Sequence, residues 1–121
     1  MPEYQRFLAA KERIWQEHGY GPWAFFLDGD FVGWGGLQPE GEDVDVGLVL
    51  RKAHWGAGQV LYKRFVSQAF GELDAESVIA LLPESRSRVA ALRRIGFRED
   101  GSITVGDVVF RRFRLFREGR P

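Results

Sequence analysis

The chain contains no cysteine, which excludes disulfides, thiol nucleophiles and thiolate-held metals together and fits a reducing compartment. Its two histidines, His18 and His54, lie far apart without companion ligand spacing, so no metal site is expected. Charge bias is missing as well. The 17 lysines and arginines balance 17 aspartates and glutamates, and no net field draws the molecule toward nucleic acid or membrane. No apolar run approaches the ~20 residues that cross a bilayer. The opening residues, Met1-Pro2-Glu3-Tyr4-Gln5-Arg6, have no basic stretch followed by an apolar run, so no signal peptide is read. Repeats, low-complexity stretches and linkers are absent. The expectation is a soluble cytoplasmic protein folded as one domain over 1–121, since 121 residues suffice for one core but not two.

What is present has clear periodicity. Tyr4, Phe7, Leu8, Lys11, Ile14 and Trp15 recur at helical spacing before Gly19, which predicts an amphipathic helix over 3–18. Two apolar runs follow, Trp23 to Leu27 and Phe31 to Leu37, around Asp28-Gly29-Asp30. Glycine and aspartate tolerate the positive φ of a tight hairpin turn. After a turn at Pro39-Glu40-Gly41, Val44, Val46, Leu48 and Leu50 alternate with Asp45, Gly47 and Val49, giving a strand with two unlike faces. Helical spacing returns over 57–71, with Leu61, Phe65 and Ala69 on one stripe and Val60, Val66 and Phe70 beside it. Ser77 to Leu82 is nearly all apolar, as in a strand covered on both faces. A helix over 86–95 ends at Gly96, with Arg93 and Arg94 complementing its dipole and Phe97 placed for the accompanying apolar contact. A final hairpin runs from Phe97 to Phe116 around Gly106-Asp107. The strands from Val44 and Ser77, joined by one helix, should be parallel, and the hairpin neighbours antiparallel. The fold class expected is mixed α/β, with helices on both faces of a mixed sheet.

Chemistry concentrates in Leu48-Val49-Leu50-Arg51-Lys52-Ala53-His54-Trp55-Gly56-Ala57-Gly58-Gln59-Val60. A strand ends, a short basic turn follows, and a helix opens on two glycines. Helix N-termini offer unpaired N–H groups and partial positive charge to phosphates, and Gly56 and Gly58 leave the backbone open to close approach. The same residues also suit a plain glycine-rich turn with solvated charges. No Gly-Lys-Ser/Thr follows, which excludes a nucleotide-triphosphate loop.

Ala53 to Gly58, Ser85 to Arg88 and Ile95-Gly96-Phe97 together resemble the GNAT superfamily of acyl-CoA-dependent N-acetyltransferases, and most of all the branch of ribosomal-protein N-terminal acetyltransferases. Gly21-Pro22-Trp23-Ala24 and Val32-Gly33-Trp34-Gly35-Gly36-Leu37 are similar to that family's earlier strands, so the likeness spans about 19–116. The resemblance implies a mostly antiparallel sheet in which the strand from Val44 and the strand from Ser77 splay apart. Leu48, Val49 and Leu50 would then meet the pantetheine of acetyl-CoA. Arg51, Trp55, Gly56, Ala57, Gly58, Gln59 and Val60 would surround its pyrophosphate, and Ser85 would bond the pantetheine or simply cap the following helix. Asp45 takes the place of a glutamate common in the family and is the candidate base; a solvated strand carboxylate is the competing reading. The acceptor implied is a small-molecule or peptide amine, with acetyl-CoA as co-substrate and no metal.

Three features depart from the family pattern. Ala53 stands where a Gln or Arg is usual and Leu92 where many members have a tyrosine acid. If 3–18 is the family's second helix, the usual first strand and helix are missing, which leaves the Trp23 strand as an apolar edge. A homodimer shielding that edge is one expectation, and an inert acyl-CoA-binding or interaction module is the alternative to an enzyme. Trp34 is a candidate for the acceptor side. Arg111, Arg112, Arg114, Arg117 and Arg120 alternate between faces and read as a solvated edge and tail.

Overall fold

The computed structural model describes residues 3–84 and 89–117. Along the chain come α1 (Glu3–His18), β1 (Pro22–Leu27), β2 (Asp30–Glu40), β3 (Asp43–Leu50), a 3-10 helix (Lys52–Ala57), α2 (Gly58–Gly71), β4 (Ser77–Pro83), α3 (Ala90–Ile95), β5 (Arg98–Val105) and β6 (Val108–Phe116). The strands form one sheet in the order β1-β2-β3-β4-β6-β5. Only β3 and β4 are parallel, the one pair connected through a helix. This is the mixed architecture expected from the element order.

Turn chemistry fixes the register. Leu27 pairs with Asp30, leaving Asp28 (φ 52) and Gly29 (φ 86) as a two-residue loop whose positive dihedrals match the twist of the flanking strands. At the end of α3, Gly96 takes φ 119. Its N–H and that of Phe97 both donate to the Leu92 carbonyl, at 3.1 and 3.0 Å, and Phe97 enters the core. The helix stop is as read; residues 85–88, assigned to this helix and to Ser85, lie outside the described residues.

Side-chain parity separates the two faces of the sheet. Leu37, Val46, Val78, Ala80 and Phe113 point toward Phe65, Val66 and Ala69 of α2 and Leu92 of α3 and form the core. Gln38 and Asp45 have the opposite parity and meet α1, whose Lys11 Nζ donates to Gln38 Oε1 at 3.1 Å. Trp15 of the same helix donates its indole N–H to the Pro22 carbonyl at 2.7 Å. Helices therefore lie on both faces. Val60, read as part of the inward stripe of α2, is 69% exposed; the helix is turned so that Leu61 and Phe65 carry the packing.

The arginines of β6 are not a solvated edge. Arg114 forms a fork with Asp43, with Nη1–Oδ1 at 2.8 Å and Nη2–Oδ2 at 3.3 Å, and reaches Asp100 through Nε at 2.8 Å and Ser77 Oγ through Nη1 at 2.9 Å. One guanidinium thus ties β3, β4, β5 and β6. Arg111 pairs with Glu99, Arg112 with Asp100 and Arg117 with Asp74; Arg120 lies outside the described residues. The bond from Arg114 holds the Asp43 carboxyl below its ordinary value, so its contribution to stability is present above about pH 4 and is lost as pH falls through the depressed value. Arg114→Met is expected to lower the unfolding free energy by about 1–3 kcal/mol at pH 7. The deficit should shrink at pH 3, as read by urea unfolding at both pH values.

Candidate functional site: a cleft between two diverging strands

β3 and β4 pair at one point only, Asp45 opposite Ile79, whereas β2 and β3 pair along eight positions from Gly33–Leu50 to Glu40–Asp43. Beyond Asp45 the parallel strands diverge. The Arg51 N–H donates to the Val32 carbonyl at 2.9 Å, which sets the parity of the antiparallel ladder. Odd-numbered residues of β3 address β2, and even-numbered ones address β4. The N–H and C=O of Leu48 therefore point into the gap that β4 has left.

At this opening is a cleft of about 280 Å³. Leu48 and Leu50 form one wall and Leu82 the other, while Trp55, Gly56, Gly58, Gln59 and Tyr62 close the end at the start of α2, and Ala91 and Arg94 of α3 complete it. Six residues of the expected coenzyme site are thus brought together: Leu48, Leu50, Trp55, Gly56, Gly58 and Gln59. Val49, Arg51, Ala57 and Val60 do not line the cleft. Val49 has the parity of the opposite face, where it is 42% exposed. Tyr62, Leu82, Ala91 and Arg94 were not singled out in the sequence. Arg94 had a sufficient role as the dipole partner of its helix, and its position against the cleft depends on how α3 docks.

The basic turn is more ordered than an open glycine loop. Residues Lys52–Ala57 form a 3-10 helix that runs directly into α2. Amides at both its ends are already engaged: His54 N–H on the Arg51 carbonyl at 2.8 Å, and the N–H of Gly58, the first residue of α2, on the Trp55 carbonyl. The Trp55 indole N–H donates to the Leu50 carbonyl at 2.9 Å, pinning the turn to the end of β3. A phosphate held by the Gly58 amide would have to exchange that bond. No side chain caps the start of α2, and Arg94 supplies the positive charge within the cleft wall.

Asp45 stands where the strands part. It is 6% exposed, not a solvated strand carboxylate. Gln38 Nε2 donates to its Oδ2 at 3.1 Å, and Oδ1 is buried without a hydrogen-bond partner among the described residues. Burial, opposed by the Gln38 bond and the Lys11 charge and helped by the nearby Glu40, pushes the carboxyl up to about 6. Lys11 is also desolvated and held below its ordinary value, and it lies over the Trp34 ring at 4.7 Å. The chain Lys11–Gln38–Asp45 thus orients the carboxylate, committing Oδ2 to Gln38 and leaving Oδ1 to take a proton. Among the described residues, no cluster of His, Cys, Asp and Glu could hold a metal, and no helix is long and apolar enough to cross a membrane.

Residues 2–98 match the family model described as an acetyltransferase (GNAT) domain. The chain belongs to the GNAT acetyltransferase family. Similar solved structures include an acetyltransferase from Agrobacterium tumefaciens C58, 19% identical with a TM-score of 0.77, covering 97% of this chain and 72% of that one. A ribosomal-protein-alanine N-acetyltransferase from Brucella melitensis is 15% identical, with a TM-score of 0.72 over 96% and 79% of the two chains. The N-acetyltransferase PseH from Campylobacter jejuni, solved with acetyl coenzyme A, is 17% identical with a TM-score of 0.70 over 95% and 80%. At these identities the likeness is one of fold, and the diverging β3–β4 pair is the splay that the resemblance implied.

Proposed function

We propose that this GNAT protein is an N-acetyltransferase that moves the acetyl group of acetyl-CoA to a primary amine. The observation that carries the reading is the single pairing point at Asp45–Ile79, beyond which Leu48 turns its backbone groups into a cleft. Pantetheine amides can add there as a strand adds to a sheet edge. Gly56, Gly58 and Arg94 lie at the end suited to the diphosphate. The amine nitrogen attacks the thioester carbonyl carbon, a proton leaves the nitrogen to Asp45, the C–S bond breaks, and the thiolate is protonated to leave as coenzyme A. A carboxyl displaced to about 6 is mostly ionised at neutral pH and still a competent base, the compromise that proton transfer favours.

Calorimetric titration with acetyl-CoA tests binding, and release of free thiol in the presence of amines tests transfer. No binding by folded protein at millimolar ligand would end the proposal. One observation favours the reading of a binding module without transfer: Asp45, the candidate base, is 6% exposed and is not among the residues that line the cleft. Binding with no thiol release above the hydrolysis background would support that second reading. Arg94→Glu is expected to weaken acetyl-CoA binding by about tenfold at low salt, through loss of one phosphate-facing cation and gain of a repelling charge. The difference should narrow in 0.5 M salt as screening grows.

A further inference from the structure

The face of the sheet beneath α1 contains a second, larger cavity, of about 710 Å³. Its walls are Leu8 and Trp15 of α1, Trp23 and Phe26 of β1, and Phe31 and Trp34 of β2. The rings hold one another: Trp15 and Trp23 meet edge to face at 4.7 Å and Phe26 and Phe31 at 5.7 Å. Among the described residues, Lys11 and Glu12 are its charged lining residues. The cavity is an open groove, with Trp23, Phe26 and Phe31 52, 64 and 42% exposed, and its lining is that of a small-molecule site, mostly apolar with few polar groups.

The cavity adjoins the proposed reaction centre through shared residues. Trp34 pairs with Val49, and its ring lies 3.7 Å from where a Cβ on Gly47 would be. Gly47 and Val49 belong to the stretch of β3 that has left β4, on the face opposite the coenzyme cleft. Lys11 lines the cavity and is also the first member of the hydrogen-bonded chain through Gln38 to Asp45. An acyl group passing through the gap between β3 and β4 would emerge beside Trp34.

We infer that this cavity is the acceptor site, and that the acceptor is a primary amine on an aromatic or branched apolar body. The inference rests on the acetyl-transfer reading and narrows its substrate. A polyamine needs several carboxylates to hold its separate charges, and among the described residues the lining supplies Glu12 alone, with Lys11 opposing it. A peptide N-terminus brings amides that an apolar wall leaves unpaired. Lys11 has a further effect. A cation beside the incoming nitrogen disfavours its ammonium form, and the neutral amine is the nucleophile.

The test uses the full chain with 2-phenylethylamine, spermidine and an alanine-initiated tripeptide. Three of the four tryptophans line the cavity, so 2-phenylethylamine should quench their fluorescence saturably without acetyl-CoA, and the other two amines should not. With acetyl-CoA present, kcat/KM should favour 2-phenylethylamine by at least about tenfold, the order expected for burying an apolar body. Ala24 is exposed on the cavity wall, and Ala24→Phe fills the space without entering the core. It should raise the KM for 2-phenylethylamine about tenfold or more and leave calorimetric acetyl-CoA affinity unchanged. Absent quenching, a preference for spermidine or the peptide, or an unaltered KM in Ala24→Phe would overturn the inference. So would a mass of twice 13.8 kDa at tens of micromolar that Phe26→Glu returns to monomer, which would give this face to a second copy. Failure of acetyl-CoA binding would instead remove the acetyl-transfer reading, and the fluorescence titration would still decide whether the cavity takes the amine.

Discussion

Asp45→Asn is expected to lower kcat by about 10²–10³-fold at pH 7.5 with acetyl-CoA and an accepted amine, the range for loss of a positioned base, while making the protein more stable. The two effects have one origin. Burial raises the Asp45 carboxyl from 3.8 to about 6, so the native state holds a proton over a range in which the unfolded chain has released it. The Asp45 contribution to stability is therefore greatest below about pH 4, falls as pH rises through that range, and reaches a constant cost of about 3 kcal/mol above it. Asparagine keeps an oxygen to accept from Gln38 Nε2 and carries no charge. A gain of about 1–3 kcal/mol is expected at pH 7 and none at pH 4, as read by denaturant unfolding at both pH values. In the native enzyme the acid limb of the kcat/KM profile should lie near 6. Lys11→Met removes a charge that lowers the carboxyl and should move that limb upward. Lost activity without gained stability would mean that Asp45 is a structural residue, already satisfied as an ion.

The parts of the fold legible in the sequence are those where local chemistry decides. Asp28-Gly29 tolerates the positive dihedrals of its hairpin, and Gly96 followed by Phe97 marks the end of α3 because only one such stop satisfies both the carbonyls and the apolar contact. The alternation of Val44, Val46 and Leu48 with Asp45 and Gly47 correctly separated two faces. It could not say that the Asp45 face is covered, since the cover comes from Lys11 and Gln38, one on another helix and one on another strand. The β6 arginines failed for the same reason. Alternation put Arg112 and Arg114 on one face, but their partners Asp43 and Asp100 arrive from β3 and β5 through tertiary pairing. The order of the 52–57 segment was hidden too, because a 3-10 helix of six residues has too short a period to stand out and is pinned by a contact from the Trp55 ring to Leu50. Of the candidate site, the glycines and the β3 residues carried a motif; Arg94 and Tyr62 did not, because their part in the cleft is set by how two helices dock.

Gly56→Ala should leave the fold intact or stabilise it by a few tenths of a kcal/mol, whereas Gly56→Val should weaken acetyl-CoA binding by about 10–100-fold. Two glycines that the chain itself requires lie in β2. A Cβ on Gly35 would stand 2.8 Å from the Gly47 carbonyl oxygen, and one on Gly33 would run into the Val49 carbonyl. Those two let β2 lie close against β3, and Gly35→Val is expected to lower stability by several kcal/mol through the backbone displacement it forces. A Cβ on Gly56 meets nothing within 4 Å, and its backbone is outside the left-handed region. There the smaller residue is a cost to folding, since glycine loses the most freedom on ordering. Nothing among the described residues accounts for glycine at that position, yet it lines the cleft between the diverging strands. Close approach of a ligand is the remaining physical reason, and a valine would occupy the volume that a diphosphate needs. Calorimetry on Gly56→Val beside Gly35→Val separates the two cases, because only the first should lose the ligand while keeping its thermal midpoint. Unchanged acetyl-CoA affinity in Gly56→Val would show that the diphosphate does not lie against this turn, and the 3-10 helix would then be a closed connection between β3 and α2.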